Sequence, residues 1–197
     1  MATASKKTAP QPTTGSAARK APARSSRRSA PASAGPDAIA LLKADHKRVA
    51  ALYAQYAGAR SASKKKSIVA AICQELSVHA QVEEEIFYPA VKAALKDKEL
   101  VPEAQVEHAT LKELIAQVKD KEPDGEVFDA KIKVMSEYTK HHVKEEHTEM
   151  FPKAQKTKLD MAALGARIAA RKQELMADPA LMEAPPVPAA PALATAG

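Results

Sequence analysis

The sequence predicts an all-α protein: an up-down-up-down four-helix bundle with an extra short C-terminal helix and disordered tails. Three observations carry this. From Asp37 to about Ala177, apolar residues recur every three or four positions with few β-branched runs. Four long helical stretches are joined by short breaks that contain Gly or Pro, as antiparallel neighbours require. The first two stretches also repeat in the second two.

Helix signals place each element. The first helix is expected from Asp37, an N-cap residue just after Gly35-Pro36, to about Ala57, with Gly58 ending it. The second spans about Ser63 to Leu95, kinked or ended in its regular part by Pro89. The third begins near Pro102, which suits a first helical turn, and ends before Glu122-Pro123-Asp124-Gly125. The fourth runs from about Glu126 to Phe151, where Pro152 is expected to stop it. The fifth, Asp160 to Met176, carries Leu164, Ile168 and Leu175 on one side and is expected to pack across the bundle's end.

The ends differ in kind from the middle. Residues 1–36 hold Lys6, Lys7, Arg19, Lys20, Arg24, Arg27 and Arg28 and no acid. The other 23 Lys and Arg face all 24 Asp and Glu, so the net charge of +6 belongs to this segment. Built from Ala, Ser, Thr, Pro, Lys and Arg, it offers too little apolar surface to offset the entropy of ordering. Residues 179–197, rich in Pro and Ala, read the same way. The expected organisation is a disordered basic tail at 1–36, a four-helix bundle at 37–155, an accessory helix at 156–178 and a second tail at 179–197. The basic tail suits sequence-indifferent contact with nucleic-acid phosphates, or acts as a solubilising linker.

Cys73 is the single cysteine, which excludes an intramolecular disulfide and a cysteine-ligated zinc or iron-sulfur site, and it reads as core filler. No apolar run reaches the roughly 20 residues of a membrane span, and the N-terminus lacks the apolar stretch of a signal peptide. The expected compartment is the cytoplasm, with no membrane partner. With six Gly and no Gly-rich cradle, nucleotide-binding loops are not expected either.

The repeat carries the chemistry. Asp45-His46 and the ten residues after it match Glu107-His108 and theirs, sharing an acid, a His, spaced aliphatics and an Ala-Gln pair. On the second and fourth helices, His79, Glu83 and Pro89 match His142, Glu146 and Pro152, each His four residues before its Glu and ten before its Pro. All six polar residues fall on seams that are otherwise apolar, such as Ile39, Leu42, His46, Val49, Tyr53. Residues four apart share a helical face, so each His and its Glu point the same way. Buried carboxylates and imidazoles need a compensating partner. Neutral imidazoles with ionised carboxylates are ligands for iron, manganese or zinc, and four His with two Glu are too many for one tetrahedral ion. Two metals bridged by Glu83 and Glu146 would use all six.

These residues resemble the hemerythrin family, in particular bacterial hemerythrin-like proteins with the HHE cation-binding domain. The similarity covers about residues 37–155 and rests on the order His, His-x-x-x-Glu, His, His-x-x-x-Glu, with the Glu-Glu-Glu-Ile-Phe-Tyr-Pro and Glu-Glu-His-Thr-Glu-Met-Phe-Pro stretches. The resemblance implies a non-haem di-iron centre, two Fe ions bound by His46, His79, Glu83, His108, His142 and Glu146, with O₂, NO or peroxide at an open position; manganese or zinc are the other metals. Oxygen carriers of the family have a second His four residues after the third-helix one, where this chain has Lys112. They also have an Asp five residues after the fourth-helix His, where this chain has His147. Glu146 is taken as the ligand because it repeats Glu83, with His147 its substitute. His141, Glu84, Glu85 and Glu145 read as solvated neighbours, and Tyr138 as a core residue or one reaching toward the ligands.

The expected function is therefore a di-iron protein that binds or senses a small diatomic or oxidant, or buffers iron. The alternatives are a di-iron redox enzyme, for peroxide breakdown, iron oxidation or NO reduction, and a nucleic-acid-associated protein tethered by residues 1–36.

Overall fold

The structure, a computed structural model, describes residues 35–96 and 99–177. The tails expected to be disordered lie outside the described residues, apart from Gly35 and Pro36. Among the described residues all regular structure is helical, and no helix is long and apolar enough to cross a membrane.

Helix α1 spans Ala38–Gly58, and the Asp37 carboxylate accepts from the Ala40 N–H at 2.8 Å, as an N-cap does. Helix α2, Ala62–Val82, starts one residue before the expected Ser63 because Ser61 is its cap, accepting from the Lys64 N–H. A wide π turn, Glu83–Phe87, then leads into α3, Tyr88–Leu95. Helix α4 covers Leu100–Val118 with Pro102 in its first turn. Helix α5, Glu126–Glu145, opens at Gly125, whose φ of 96° suits a residue without a Cβ. A second π turn, Glu146–Met150, continues into α6, Phe151–Gln155. Helix α7, Met161–Ala177, is capped by Asp160, which accepts from the Ala163 N–H.

Both π turns begin at a repeat glutamate and end two residues before a proline. The Tyr88 N–H bonds to the Glu83 carbonyl and the Phe151 N–H to that of Glu146, each five residues back. A proline in a regular helix lacks a donor and clashes with the carbonyl four residues back. The extra residue of a π turn takes up that conflict and lets the helix axis run on. Pro152 accordingly does not stop the fourth helix, contrary to the sequence expectation; the chain remains helical to Gln155.

Helix α7 corrects a second expectation. Leu164, Ile168 and Leu175 are buried along its whole length, so it needs a groove rather than a bundle end. It lies lengthwise along α1 and α2: Gly165 sits against Pro36 and Ala38, Lys172 reaches Asp45, Arg171 bonds Glu85, and Met176 meets Gln74. A Cβ on Gly165 would stand 2.5 Å from the Pro36 carbonyl oxygen, which is why a glycine occupies this crossing.

Among the described residues the core has two apolar clusters. One gathers Leu42, Phe87, Tyr88, Val91, Phe151 and Ile168; the other gathers Val49, Ile72, Leu76, Leu111, Ile132 and Met135. Cys73 packs in the second, where burial pushes its thiol up to about 12, in keeping with core filler. Sequence order along each helix puts the repeat His and Glu residues between the two clusters, in a buried polar belt across the bundle.

Candidate metal centre

All six polar residues of the repeat are buried, Glu83 at 0% and Glu146 at 1% exposure, and they converge. Ligand-type atoms of His46, His79, Glu83 and Glu146 lie within 4.8 Å of one another, and so do those of Glu83, His108 and His142, so Glu83 belongs to both groups. His79 Nε2 is 3.1 Å and His108 Nε2 3.4 Å from Glu83 Oε2. Glu146 Oε2 lies 3.2 Å from His46 Nε2 and 3.7 Å from His142 Nε2. That oxygen, like Glu83 Oε1, nonetheless has no hydrogen bond among the described residues, because proximity alone does not supply donor geometry.

Behind the imidazoles stands an outer ring. His79 Nδ1 faces Asp45 Oδ2 at 3.4 Å, His108 Nδ1 faces Glu84 Oε1 at 3.1 Å, and His142 Nδ1 faces Glu107 Oε2 at 2.7 Å. Burial works to raise all three carboxyls. Hydrogen bonds from these imidazoles, with Lys172 on Asp45 and Lys112 on Glu84, outweigh it and hold them below the usual carboxylate range. An ionised carboxylate only accepts, so each of these three Nδ1 atoms carries a proton and each Nε2 faces inward, where its lone pair serves a cation once its own proton is lost. There the Nε2 atoms of His108 and His142 are 3.2 Å apart, and those of His46 and His79 2.9 Å apart. Four inward-facing Nε2 atoms so closely spaced, beside two buried carboxylate oxygens that have no hydrogen bond among the described residues, are set as the donors of a cation site. Without a cation, protons on the imidazoles offset the carboxylates. The donor set of four imidazoles and two carboxylates fits a pair of transition-metal ions.

The ring follows the repeat. Asp45 and Glu107, the acids preceding the first His of each half, both reach the His of the next helix in their own hairpin. Glu84 and His147 occupy matching positions, and His147 Nε2 meets His46 Nδ1 at 2.9 Å as Glu84 meets His108. His147 therefore stands behind a candidate ligand and not among them.

Two side chains depart from the sequence expectation. Glu84 is no solvated neighbour: it is half-buried and accepts from Lys112 Nζ at 2.7 Å on both oxygens, because the π turn swings the residue after Glu83 toward α4. Glu85 is exposed but bonded to Arg171 of α7. Tyr138 is 45% exposed and so not a core residue, but it lines a small cavity with Glu107, His108 and His142, the side of the site toward which the sequence pointed it. His141 is mostly exposed and paired with Glu145.

The sequence reading missed Tyr88. It is fully buried, with Oη 3.2 Å from Glu83 Oε2, Glu146 Oε1 and His108 Nε2, and 3.4 Å from His142 Nε2. The signal was a break in the repeat: five residues after Glu83 stands Tyr88, and five after Glu146 stands Phe151. Burial, then the charges of Glu83 and Glu146, push the phenol well above its ordinary value, so it is neutral when no cation is nearby.

Between the imidazoles and Val49, Leu76 and Leu111 lies a cavity of about 10 Å³, room for one water-sized molecule. A cleft of about 600 Å³ between α1 and α5 contains none of the six residues.

Comparison with known proteins agrees with this geometry. Residues 37–154 match the hemerythrin HHE cation-binding domain. The chain belongs to that family. This HHE domain also resembles a crystal structure of a hemerythrin HHE cation-binding domain-containing protein from Mycobacterium kansasii, with a TM-score of 0.62, 20% identity, and coverage of 71% of this chain and 87% of that one. At that identity the likeness speaks for the fold. A protein of Nostoc sp. described as a DNA nickase is 24% identical over 111 residues, 56% of this chain and 31% of its own length. The HHE domain thus spans less than a third of that relative.

Proposed function

We propose that this HHE domain holds two iron ions, with His46, His79, His108 and His142 as terminal ligands and Glu83 and Glu146 as bridges, and that it binds or senses O₂, NO or peroxide. The reading rests on one observation: inward-facing imidazole and carboxylate atoms from four helices, two of the oxygens orphaned, meet beside a cavity of about 10 Å³. Bound there, iron supplies open coordination positions for a diatomic or peroxide and a source or sink of electrons.

The chain's own residues set the conditions. Asp45, Glu84 and Glu107 fix three imidazole tautomers and make those rings stronger donors. Val49, Leu76 and Leu111 keep bulk water from the cavity and restrict it to small ligands. Lys112, at the position where oxygen carriers have an imidazole, is bonded to Glu84, so it does not replace that ligand. Stable oxygen storage is disfavoured accordingly, and sensing, iron buffering or redox turnover are the roles that remain.

Metal content per chain, measured after purification without added metal and paired with an optical spectrum, tests the reading. Two irons per chain support it; a chain with nothing bound overturns it. Stopped-flow mixing with O₂ or peroxide then separates a stable adduct, which marks a binding protein, from rapid autoxidation with steady peroxide loss, which marks an enzyme.

A second reading is association with nucleic acid. It is favoured by the seven unopposed positive charges of residues 1–36 and by the likeness to a relative described as a DNA nickase. It expects salt-sensitive, sequence-indifferent DNA binding that disappears when residues 1–36 are deleted.

A further inference from the structure

Tyr88 is the buried polar group that the six-residue site leaves without a task. Its oxygen makes no short hydrogen bond: the partners at 3.2, 3.2, 3.2 and 3.4 Å all lie beyond the roughly 2.7–2.8 Å preferred by an O–H donor. One proton cannot serve four partners, and a phenol kept for hydrogen bonding would settle on one of them.

We propose that Tyr88 is itself a metal ligand, its phenolate oxygen binding the cation held by His108, His142 and Glu83. The inference rests on the metal-binding reading above and adds a donor to it. Ligand atoms around one ion, with bonds of about 2.1 Å and angles between right and tetrahedral, stand about 3.0–3.5 Å from each other. Tyr88 Oη, His108 Nε2 and His142 Nε2 form a triangle with edges of 3.2, 3.4 and 3.2 Å, and Glu83 Oε2 lies 3.2 Å from Oη and 3.4 Å from His108 Nε2. The phenol oxygen is spaced as a member of that set. As the oxygen–metal bond forms, the O–H bond breaks and its proton passes to solvent; no oxidant or reductant is needed.

On the same side of the site Lys112 turns to Glu84 and not to the His108–His142 pair, so Tyr88 is the donor added there. The other half has Phe151 at the matching step, ring to ring with His46 at 6.0 Å and without an oxygen. The two metal positions are therefore unlike: one has a phenolate and a ligand His108 backed by a carboxylate, the other a ligand His46 backed by an imidazole.

The test uses the full chain loaded with ferrous iron and oxidised in air, read by iron content, visible absorption and resonance Raman scattering. The expected result is two irons with a phenolate-to-ferric charge-transfer band and phenolate ring modes, lost in Tyr88→Phe, a change that Phe151 shows the repeat can pack. Should Tyr88→Phe fail to fold, the other three of the four tyrosines settle the assignment. The band must survive Tyr53→Phe, Tyr56→Phe and Tyr138→Phe, and its loss in any of these overturns the inference. Two irons without phenolate modes overturn the Tyr88 assignment and leave the iron reading standing. No iron at all removes both.

Discussion

Lys172 on α7 donates to Oδ1 of Asp45, whose Oδ2 faces His79 Nδ1 at 3.4 Å. The helix outside the four-helix bundle thereby reaches the metal site through one carboxylate that is only 2% exposed. Without Lys172 the opposition between burial, which raises the Asp45 pKa, and its two hydrogen-bond donors shifts toward the neutral acid. A neutral Asp45 orients His79 less well and makes it a weaker donor. Lys172→Met is expected to lower metal affinity by about 10- to 100-fold with a small effect on metal-free stability. Competition with a chromophoric chelator measures this; unchanged affinity would mean that α7 serves packing alone.

Gly165→Ala attacks the same helix by packing instead of charge. The added methyl meets backbone of Pro36, Asp37 and Ala38 at 2.5–2.8 Å, and backbone cannot rotate away as a side chain can. The expected loss of stability is about 1–3 kcal/mol, read by chemical denaturation, together with a weakened Lys172–Asp45 contact and hence weaker metal binding. A variant as stable as the parent, with unaltered affinity, would contradict the lengthwise seating of α7.

What the sequence made legible was decided by the repeat. Two matched hairpins place six polar residues in apolar seams, and only a shared interior point satisfies them, so the helices and their convergence could be read without coordinates. Less legible were features that depend on one extra residue of helical turn. Pro152 looks like a stop because a regular helix cannot pass it, yet the π turn at Glu146–Met150 absorbs the conflict. The same kind of turn brings Tyr88 into the centre and Glu84 to His108, contacts that a strict 3.6-residue period does not anticipate. Helix α7 was recognisable as amphipathic, but its groove is made by α1 and α2 together, and the close approach at Gly165 carries no periodic signal.

Proton and metal compete for His79. Burial lowers its pKa, but the charge of Glu83 and the hydrogen bonds to Asp45 and Glu83 carry it from 6.5 up to about 10 in the metal-free protein. A ligand imidazole must be unprotonated at Nε2, so metal binding near pH 7 expels a proton. Affinity is expected to fall about tenfold per pH unit for each proton displaced as the medium is acidified. Stability without metal follows the opposite arm. A raised His79 stabilises the fold fully below pH 6.5, and that contribution fades as pH climbs toward about 10. Glu83, held well below 4.5, stabilises above 4.5 and loses its effect in acid. Thermal melts in chelator should therefore peak between pH 4.5 and 6.5 and decline toward alkali, while metal-loaded protein should not share the alkaline decline. A metal-free midpoint that rises from neutrality toward alkali would refute the pairing.

Stripping the metal should also loosen the fold at fixed pH. Glu83 Oε1 and Glu146 Oε2 are buried without a hydrogen bond, so the emptied site keeps two carboxylates facing each other and relies on protonated imidazoles to offset them. A cation at 100 times its dissociation constant stabilises the folded state by about 2.7 kcal/mol, which corresponds to roughly 5–15 °C in Tm for a domain of this size. Glu83→Gln with Glu146→Gln separates this from a general effect of chelator. The amides keep the shape of the side chains but remove both anions, so the double variant should melt at the same temperature with chelator as with iron. If its Tm still rose as much as the parent's on adding iron, Glu83 and Glu146 would not be ligands of the stabilising cation.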